Sequence, residues 1–294
     1  MTLLNVKDLR VHFPVHDGVL RAVDGVSLKM EKGKTLGVVG ESGCGKSTLG
    51  KAIARLYSPT SGSIELESVD IAKLSGKKLR ALRPNIQMVF QDPNASLNPR
   101  KSIGQILGAP LSAQKRGTRG HQKEVVRWLL SRVGLPEDAL HRFPHEFSGG
   151  QRQRIAIARA LALRPKLIIC DEAVSALDVS IRAQVLNLLT DLQDDYGWSY
   201  LFISHDLSVV ELISDSVAVM YLGKIVEYSD GDSIWEQPLH PYTKALISAV
   251  PIPDPDARNL NRRMFLKGEL PSPINPPTGC RFQTRCPFVK DRCR

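Results

Sequence analysis

The sequence predicts an α/β fold with a helical subdomain set into it, and three observations carry the prediction. Short apolar runs of strand character, at residues 35–39, 86–90, 167–170 and 200–203, alternate along the chain with segments of helix-compatible spacing. Two glycine-rich turns, Gly40-Glu41-Ser42-Gly43-Cys44-Gly45 and Ser148-Gly149-Gly150, each lead into a helix-compatible segment. Across residues 97–147 the spacing turns helical, through Ile103, Ile106 and Leu107 and then Val125, Val126, Leu129, Leu130 and Val133.

In chain order, residues 3–11 and 20–30 read as strands, the second alternating through Val23, Val26 and Leu28. Between them, Phe13-Pro14-Val15-His16-Asp17-Gly18 reads as a turn carrying one aromatic ring. Phe13 can stack on an adenine ring or pack into the core, and His16 can occupy the same place. Lys32-Gly33-Lys34 turns into the strand 35–39, which runs directly into Gly40-Glu41-Ser42-Gly43-Cys44-Gly45-Lys46-Ser47-Thr48. Between a strand and a helix, that G-x4-G-K-S spacing is the pattern of a phosphate-binding loop. The backbone must curl until its N–H groups point at one phosphate chain, and glycine permits the approach. Lys46 then reaches the β and γ phosphates, the Ser47 hydroxyl can ligate Mg²⁺, and the helix at 49–56 directs its positive end to the same place.

A turn at 59–62 closes that helix, 63–66 reads as a strand, and a charged stretch at 73–83 precedes the strand 86–90. Gln91 follows that strand; from there it can reach the Mg²⁺ shell and an attacking water, or simply cap the strand. Residues 113–120, polar and interrupted by glycine, read as an exposed bend within the helical block. Phe147-Ser148-Gly149-Gly150-Gln151 then feeds a helix at 152–163 with Ile155, Ala158 and Ala162 on one face. This is a second anion site at a helix N-terminus, with no second phosphate loop in the chain to serve it, so it is expected to act on nucleotide held by another subunit.

The strand 167–170 ends in Asp171 and Glu172. At such a strand end Asp171 can orient the Mg²⁺ shell while Glu172 polarises a water in line with the γ-phosphate, as a general base. Cys170 lies within the apolar run and reads as core. Asp178 either touches a neighbouring subunit's loop or caps the helix expected at 181–192, and both roles are compatible. The strand beginning at 200 ends in Ser204-His205-Asp206, where His205 can hydrogen-bond the γ-phosphate.

Composition bounds the setting. The chain has 294 residues, 42% hydrophobic and 6% aromatic, ordinary values for a globular protein of one or two domains. No apolar run is long enough for a membrane-spanning helix, and residues 1–9 include Asn5, Lys7 and Asp8 where a signal peptide would be apolar. The expectation is therefore a cytoplasmic protein that serves a membrane, if at all, from its surface. Forty basic and 30 acidic residues give a formal charge of +10, but the basic residues are spread out, without the tail or aromatic platform of a nucleic-acid module. Five cysteines, two far apart in the body and three near the end, exclude a secreted disulfide framework.

Together these residues closely resemble the ATP-binding subunits of ABC transporters, over residues 3–250. The most specific mark is Ser148-Gly149-Gly150-Gln151 with its continuation Arg152-Gln153-Arg154-Ile155-Ala156. Residues 175–180, 220–227, His240-Pro241-Tyr242-Thr243 and Gly268-Glu269-Leu270-Pro271-Ser272-Pro273 resemble the dipeptide and oligopeptide permease branch, and within it the second ATPase of the pair. The resemblance implies a P-loop NTPase ABC-ATPase fold with a RecA-like core, an antiparallel β subdomain and a helical subdomain at about 97–163. It divides the chain into an ATPase domain, 1–245, and an irregular C-terminal extension, 246–294.

The resemblance also implies a sandwich of two homologous ATPases on the cytoplasmic face of a membrane, working with two membrane-spanning permeases and an extracytoplasmic binding protein. One subunit's phosphate loop, with Gln91, Asp171, Glu172 and His205, would face the other's Ser148 and Gly150. The cofactors are ATP and Mg²⁺, the metal falling to Ser47, Gln91 and Asp171. Residues 85–100 would touch the permeases. Two departures stand out: Ala173 replaces the proline usual after the catalytic glutamate, with hydrolysis expected to persist, and Phe147 replaces leucine before the signature serine.

Past residue 250, proline becomes frequent, at Pro251, Pro253, Pro255, Pro271, Pro273, Pro276 and Pro277, and an extended, wrapped appendage is expected. Cys280, Cys286 and Cys293 are too loosely spaced for a zinc ribbon, but soft thiolates suit zinc or iron–sulfur ligation. The resemblance implies a [4Fe-4S] site here, normally completed by another cysteine. The function expected is ATP hydrolysis driving import of dipeptides or oligopeptides. The alternatives are the same ATPase with nickel, haem or another small cargo, or a soluble ABC ATPase of DNA repair or translation. A single cassette without a sustained heptad block weighs against the soluble reading, and Glu172 and His205 weigh against a nonhydrolytic scaffold.

Overall fold

The computed structural model describes residues 1–250, 264–266 and 268–294. Its strands are β1 (Thr2–Val15), β2 (Gly18–Glu31), β3 (Thr35–Val39), β4 (Ser61–Leu66), β5 (Val69–Asp70), β6 (Ile86–Val89), β7 (Leu167–Asp171), β8 (Ser199–Ile203), β9 (Ser216–Tyr221) and β10 (Lys224–Asp230). The chain divides into two compact units, Met1–Leu74 with Phe202–Arg294, and Ser75–Leu201.

In the first unit, β2-β1-β4-β5 form an antiparallel sheet. β1 and β2 pair from Thr2 opposite Glu31 to Val15 opposite Gly18, so the turn expected at 13–18 contracts to His16 and Asp17. The strands outrun the apolar pattern because the hairpin's backbone pairing continues past the last buried residue, Val11. Leu4, Val6, Leu9 and Val11 are buried along one face of β1. β3 pairs in parallel with β9, and β9 pairs antiparallel with β10. All five residues of β3 are buried, which is why this run shows no polar alternation.

The first helix spans Lys46–Ile53, three residues earlier than expected. Gly45 O already accepts from Leu49 N at 2.9 Å, so the loop's last residues form the first turn. The helix then stops at Arg55, whose φ is +55°. The helix Pro241–Ser248 buries Tyr242, Thr243 and Ala245. Among the described residues, the C-terminal extension has one short 3-10 turn, Asp291–Cys293, and is held to the unit by buried Phe282 and Arg281. Pro271, Pro273, Pro276 and Pro277 lie in described segments with neither helix nor strand, and Pro251, Pro253 and Pro255 lie outside the described residues.

In the second unit β6 pairs in parallel with β7, Ile86 opposite Leu167 through Val89 opposite Cys170. Its helices include Ile103–Ala113, Arg119–Arg132, Gly149–Leu161 and Val179–Tyr196. The first two bury Ile106, Leu107 and Leu111 and Val126, Leu129 and Leu130, and the bend expected between them is realised in the short connection. The charged stretch before β6 contains a further helix, Gly76–Leu82, with no fully buried residue; its short apolar stripe is Leu79 and Leu82, both half-buried. The helix expected at 181–192 runs longer because Tyr196 stacks on Trp198 with ring centroids 4.7 Å apart and Gly197, φ +63°, closes it.

Candidate functional site

In the first unit, β3 delivers the chain into the loop Gly40–Thr48, and its glycines serve different needs. Gly40, Gly43 and Gly45 all have positive φ, at +151°, +79° and +110°. A Cβ on Gly40 would lie 2.1 Å from Met220 O, and one on Gly45 2.1 Å from Ala22 O, whereas a Cβ on Gly43 would meet nothing within 4 Å. Gly40 and Gly45 are thus glycines because backbone packs against them, and Gly43 because of its φ alone. The loop is tied back to β9 and β10 by the hydrogen bond from Gly223 N to Cys44 O, 2.8 Å.

The Lys46 side chain is buried, and its Nζ donates to Gly40 O at 2.8 Å and Glu41 O at 3.0 Å. An ammonium held by carbonyls of its own loop can exchange them for phosphate oxygens. Together with the open face at Gly43 and the helix N-terminus that follows, it makes a donor set that fits a phosphate chain. Ser42 is exposed, Ser47 and Thr48 are half-buried, and Cys44 is buried, its thiol pushed up by that burial despite the attraction of Lys46.

Also in this unit, His205 is exposed just past β8, where Ser204 N donates to Val38 O at 3.2 Å and Asp206 caps the helix Leu207–Ile213 through Ser208 N. Phe13 is part of β1 rather than a turn, half-exposed, with its ring edge-to-face on Tyr57 at 5.4 Å. His16 is exposed in the hairpin turn and pairs with Asp17 at 2.9 Å.

In the second unit Asp171 ends β7, 5% exposed, and Glu172 follows it in a left-handed conformation, φ +50°. A non-glycine residue there stores about 1–3 kcal/mol, and such strain concentrates at functional sites. Glu172 O accepts from Ser175 N at 3.2 Å and Ser175 Oγ at 3.0 Å, which closes the turn despite Ala173 in the proline position. Gln91 Nε2 donates to Glu172 Oε2 at 2.8 Å, so the structure brings these two predicted residues together.

Ser148 opens the helix Gly149–Leu161 with a reciprocal cap: its Oγ accepts from Gln151 N at 3.3 Å, and its own N donates to Gln151 Oε1 at 3.0 Å. Gln151, grouped above with the phosphate contacts, here holds the turn that presents Ser148. Gly149 is open, while a Cβ on Gly150 would stand 2.3 Å from Ile181 Cγ2. Asp178 occupies the N-cap position of Val179–Tyr196, but its side chain makes no capping hydrogen bond, so the capping alternative for its carboxylate is not realised.

Cys170 is buried, its thiol pushed up to about 12 first by burial and then by Asp171, as a core residue should be. Cys280 is exposed, and Cys286 and Cys293 are half-exposed. Alkylation of the native full chain at about pH 8 is therefore expected to label Cys280 and to spare Cys44 and Cys170 until the chain is denatured. Peptide mass mapping reads this; rapid native labelling of Cys170 would contradict the buried β7.

The tail closes on itself through Cys280 N donating to Cys293 O at 2.9 Å. The thiols have the right softness for iron, but among the described residues no three His, Cys, Asp or Glu side chains are grouped to hold a metal ion. As arranged, the described thiols do not form a cage for a cluster. Sequence reading missed the contacts the tail makes to the phosphate loop, where Arg285 pairs with Glu41, because nothing in their spacing of more than two hundred residues links them.

Among the described residues no helix is long and apolar enough to cross a membrane. The ABC transporter family model matches residues 23–175, and the model of the oligopeptide/dipeptide transporter C-terminal region matches residues 226–293. The oligopeptide transport ATP-binding protein AppF of Bacillus subtilis is 54% identical, over 100% of this chain and 92% of its own length. OppF of Escherichia coli, of the same description, is 54% identical over 99% and 90%. Among solved structures, the ATP-binding cassette MJ0796, a dimer in a post-hydrolysis state with ADP and Pi, is similar with a TM-score of 0.71 and 27% identity. It covers 78% of this chain and 98% of that one. The chain spans the cassette from phosphate loop to signature helix and carries the C-terminal region of the peptide branch: it belongs to the ATP-binding subunits of ABC transporters, in the oligopeptide/dipeptide family.

Proposed function

We propose that this chain is one of two homologous, non-identical ATPases that power import of dipeptides or oligopeptides, peripheral to the cytoplasmic face of a membrane, with two permease subunits and an extracytoplasmic binding protein. The observation that carries the cargo class is the C-terminal region matched at 226–293, which continues the matched cassette within one chain. The cassette is read as residues 1–245, with its helical subdomain at about 97–163, and the extension as 246–294.

In this reading Gly40, Ser42, Gly43, Cys44, Gly45, Lys46, Ser47 and Thr48 hold the phosphate chain of ATP, and Phe13 meets the adenine. Ser47, Gln91 and Asp171 would hold Mg²⁺, which when bound neutralises charge on the phosphate oxygens. Glu172 takes the proton of the attacking water as its oxygen bonds to the γ-phosphorus and the bond to the β-phosphate oxygen breaks, leaving ADP and phosphate. Gln91 orients that carboxylate, and His205 hydrogen-bonds the γ-phosphate. Ser148, Gly149, Gly150 and Gln151 serve nucleotide on the partner ATPase, and Asp178 touches that partner's loop.

Affinity purification of the full-length protein from its native membrane, with mass spectrometry of stoichiometric partners, tests the assembly. A second ATPase and two permeases are expected. Recovery of ribosomal or DNA-processing components without permeases would overturn it.

A further inference from the structure

The phosphate loop contains one acidic residue, Glu41, and the first unit grips it at three points. Tyr242 Oη accepts from its backbone N–H at 2.8 Å. Its carbonyl accepts from Lys46 Nζ at 3.0 Å. Its carboxylate receives the two prongs of the Arg285 guanidinium, at 2.8 and 3.1 Å, with the arginine side chain only 10% exposed.

Arg285 is itself placed by the fold. Phe282, three residues before it, is buried against Tyr221, Tyr242 and His240, with ring centroids 5.2, 5.5 and 5.4 Å away. Arg281 pairs with Asp24 of β2 and donates to Leu222 O in the turn between β9 and β10. The next residue of that turn, Gly223, donates to Cys44 O of the loop. The segment 281–285 thus braces the loop from its carboxylate side and through the β9–β10 turn hydrogen-bonded to it.

We propose that Arg285, carried by Phe282 and Arg281, is a positioning residue for nucleotide: it neutralises Glu41 and fixes the loop in its binding shape before ATP arrives. The proposal rests on the nucleotide reading of the loop and deepens it. A carboxylate beside a polyanion's seat opposes binding unless a cation cancels it. A bidentate guanidinium does this with fixed geometry, and a loop already ordered loses less entropy on binding. The C-terminal extension, which lies outside the cassette match, then acts directly on the ATP site.

Equilibrium binding of a fluorescent ATP analogue to the full chain tests this without the transporter. Arg285→Ala is expected to weaken binding about tenfold, about 1.4 kcal/mol. Arg285→Ala with Glu41→Gln should recover most of the loss, because no unpaired carboxylate remains; damage to packing alone would not be rescued this way. Wild-type affinity in Arg285→Ala, or a loss that Glu41→Gln leaves untouched, overturns the brace.

Should Arg285→Ala not fold, Arg285→Lys keeps the charge without the fork, and a loss of a few-fold, about 3-fold, is expected of it; wild-type affinity in that variant overturns the proposal equally. Lys46→Ala separates the two readings. Wild-type binding in Lys46→Ala overturns the nucleotide site and the brace with it, whereas unchanged Arg285→Ala beside a non-binding Lys46→Ala overturns the brace alone.

Discussion

Replacing Glu172 by glutamine is expected to leave ATP bound and to lower turnover by about 10²–10⁴-fold, the range a positioned general base supplies. The substitution keeps the shape of the side chain, and a glutamine amide at 172 can still pair with Gln91, whose Nε2 now donates to Glu172 Oε2 at 2.8 Å. The left-handed backbone at Glu172, φ +50°, is closed by Ser175 and not by the side chain, so the turn survives the change. What is lost is the proton acceptor. Single-turnover hydrolysis by an assembly whose partner site has been disabled separately measures it, and near-normal turnover there would remove Glu172 from the role.

The second large effect is expected at Gly45. Alanine there must adopt φ near +110° and place its Cβ 2.1 Å from Ala22 O, a backbone carbonyl of β2 that cannot yield without moving the sheet. Strain and overlap together should cost about 3 kcal/mol or more, lowering Tm by roughly 6–12 °C and abolishing tight nucleotide binding. Gly43→Ala is the informative contrast. Its φ is also positive, at +79°, but its Cβ would meet nothing within 4 Å, so a cost of about 1–2 kcal/mol from backbone conformation alone is expected. Thermal melts without nucleotide compare the two; equal Tm values would show that contact with Ala22 O does not set the need for glycine at 45.

Much of the machinery was legible because its chemistry is local. The loop from Gly40 to Thr48, the turn at Ser148 and the carboxylates at the end of β7 are short runs whose spacing along the chain is itself the signal. The buried strands β3, β7 and β8 were legible for the same reason, since burial on both faces leaves an unbroken apolar run. Less legible were features decided by pairing at a distance. The β1–β2 hairpin extends through residues with no buried side chain, and the helix Gly76–Leu82 offers only Leu79 and Leu82 among its charges, too short a stripe to betray it.

The sequence by itself determined the α/β class, the phosphate loop, the signature and Asp171-Glu172, because motif spacing and strand burial are written along the chain. Only the tertiary structure decided why Gly40 and Gly45 must be glycine, through carbonyls of β9 and β2. It alone showed the hydrogen bond from Gln91 to Glu172, 81 residues apart, and the pairing of Arg285 with Glu41, 244 apart. Those pairs depend on where the fold brings two remote backbones, and no local pattern of residue types encodes that distance.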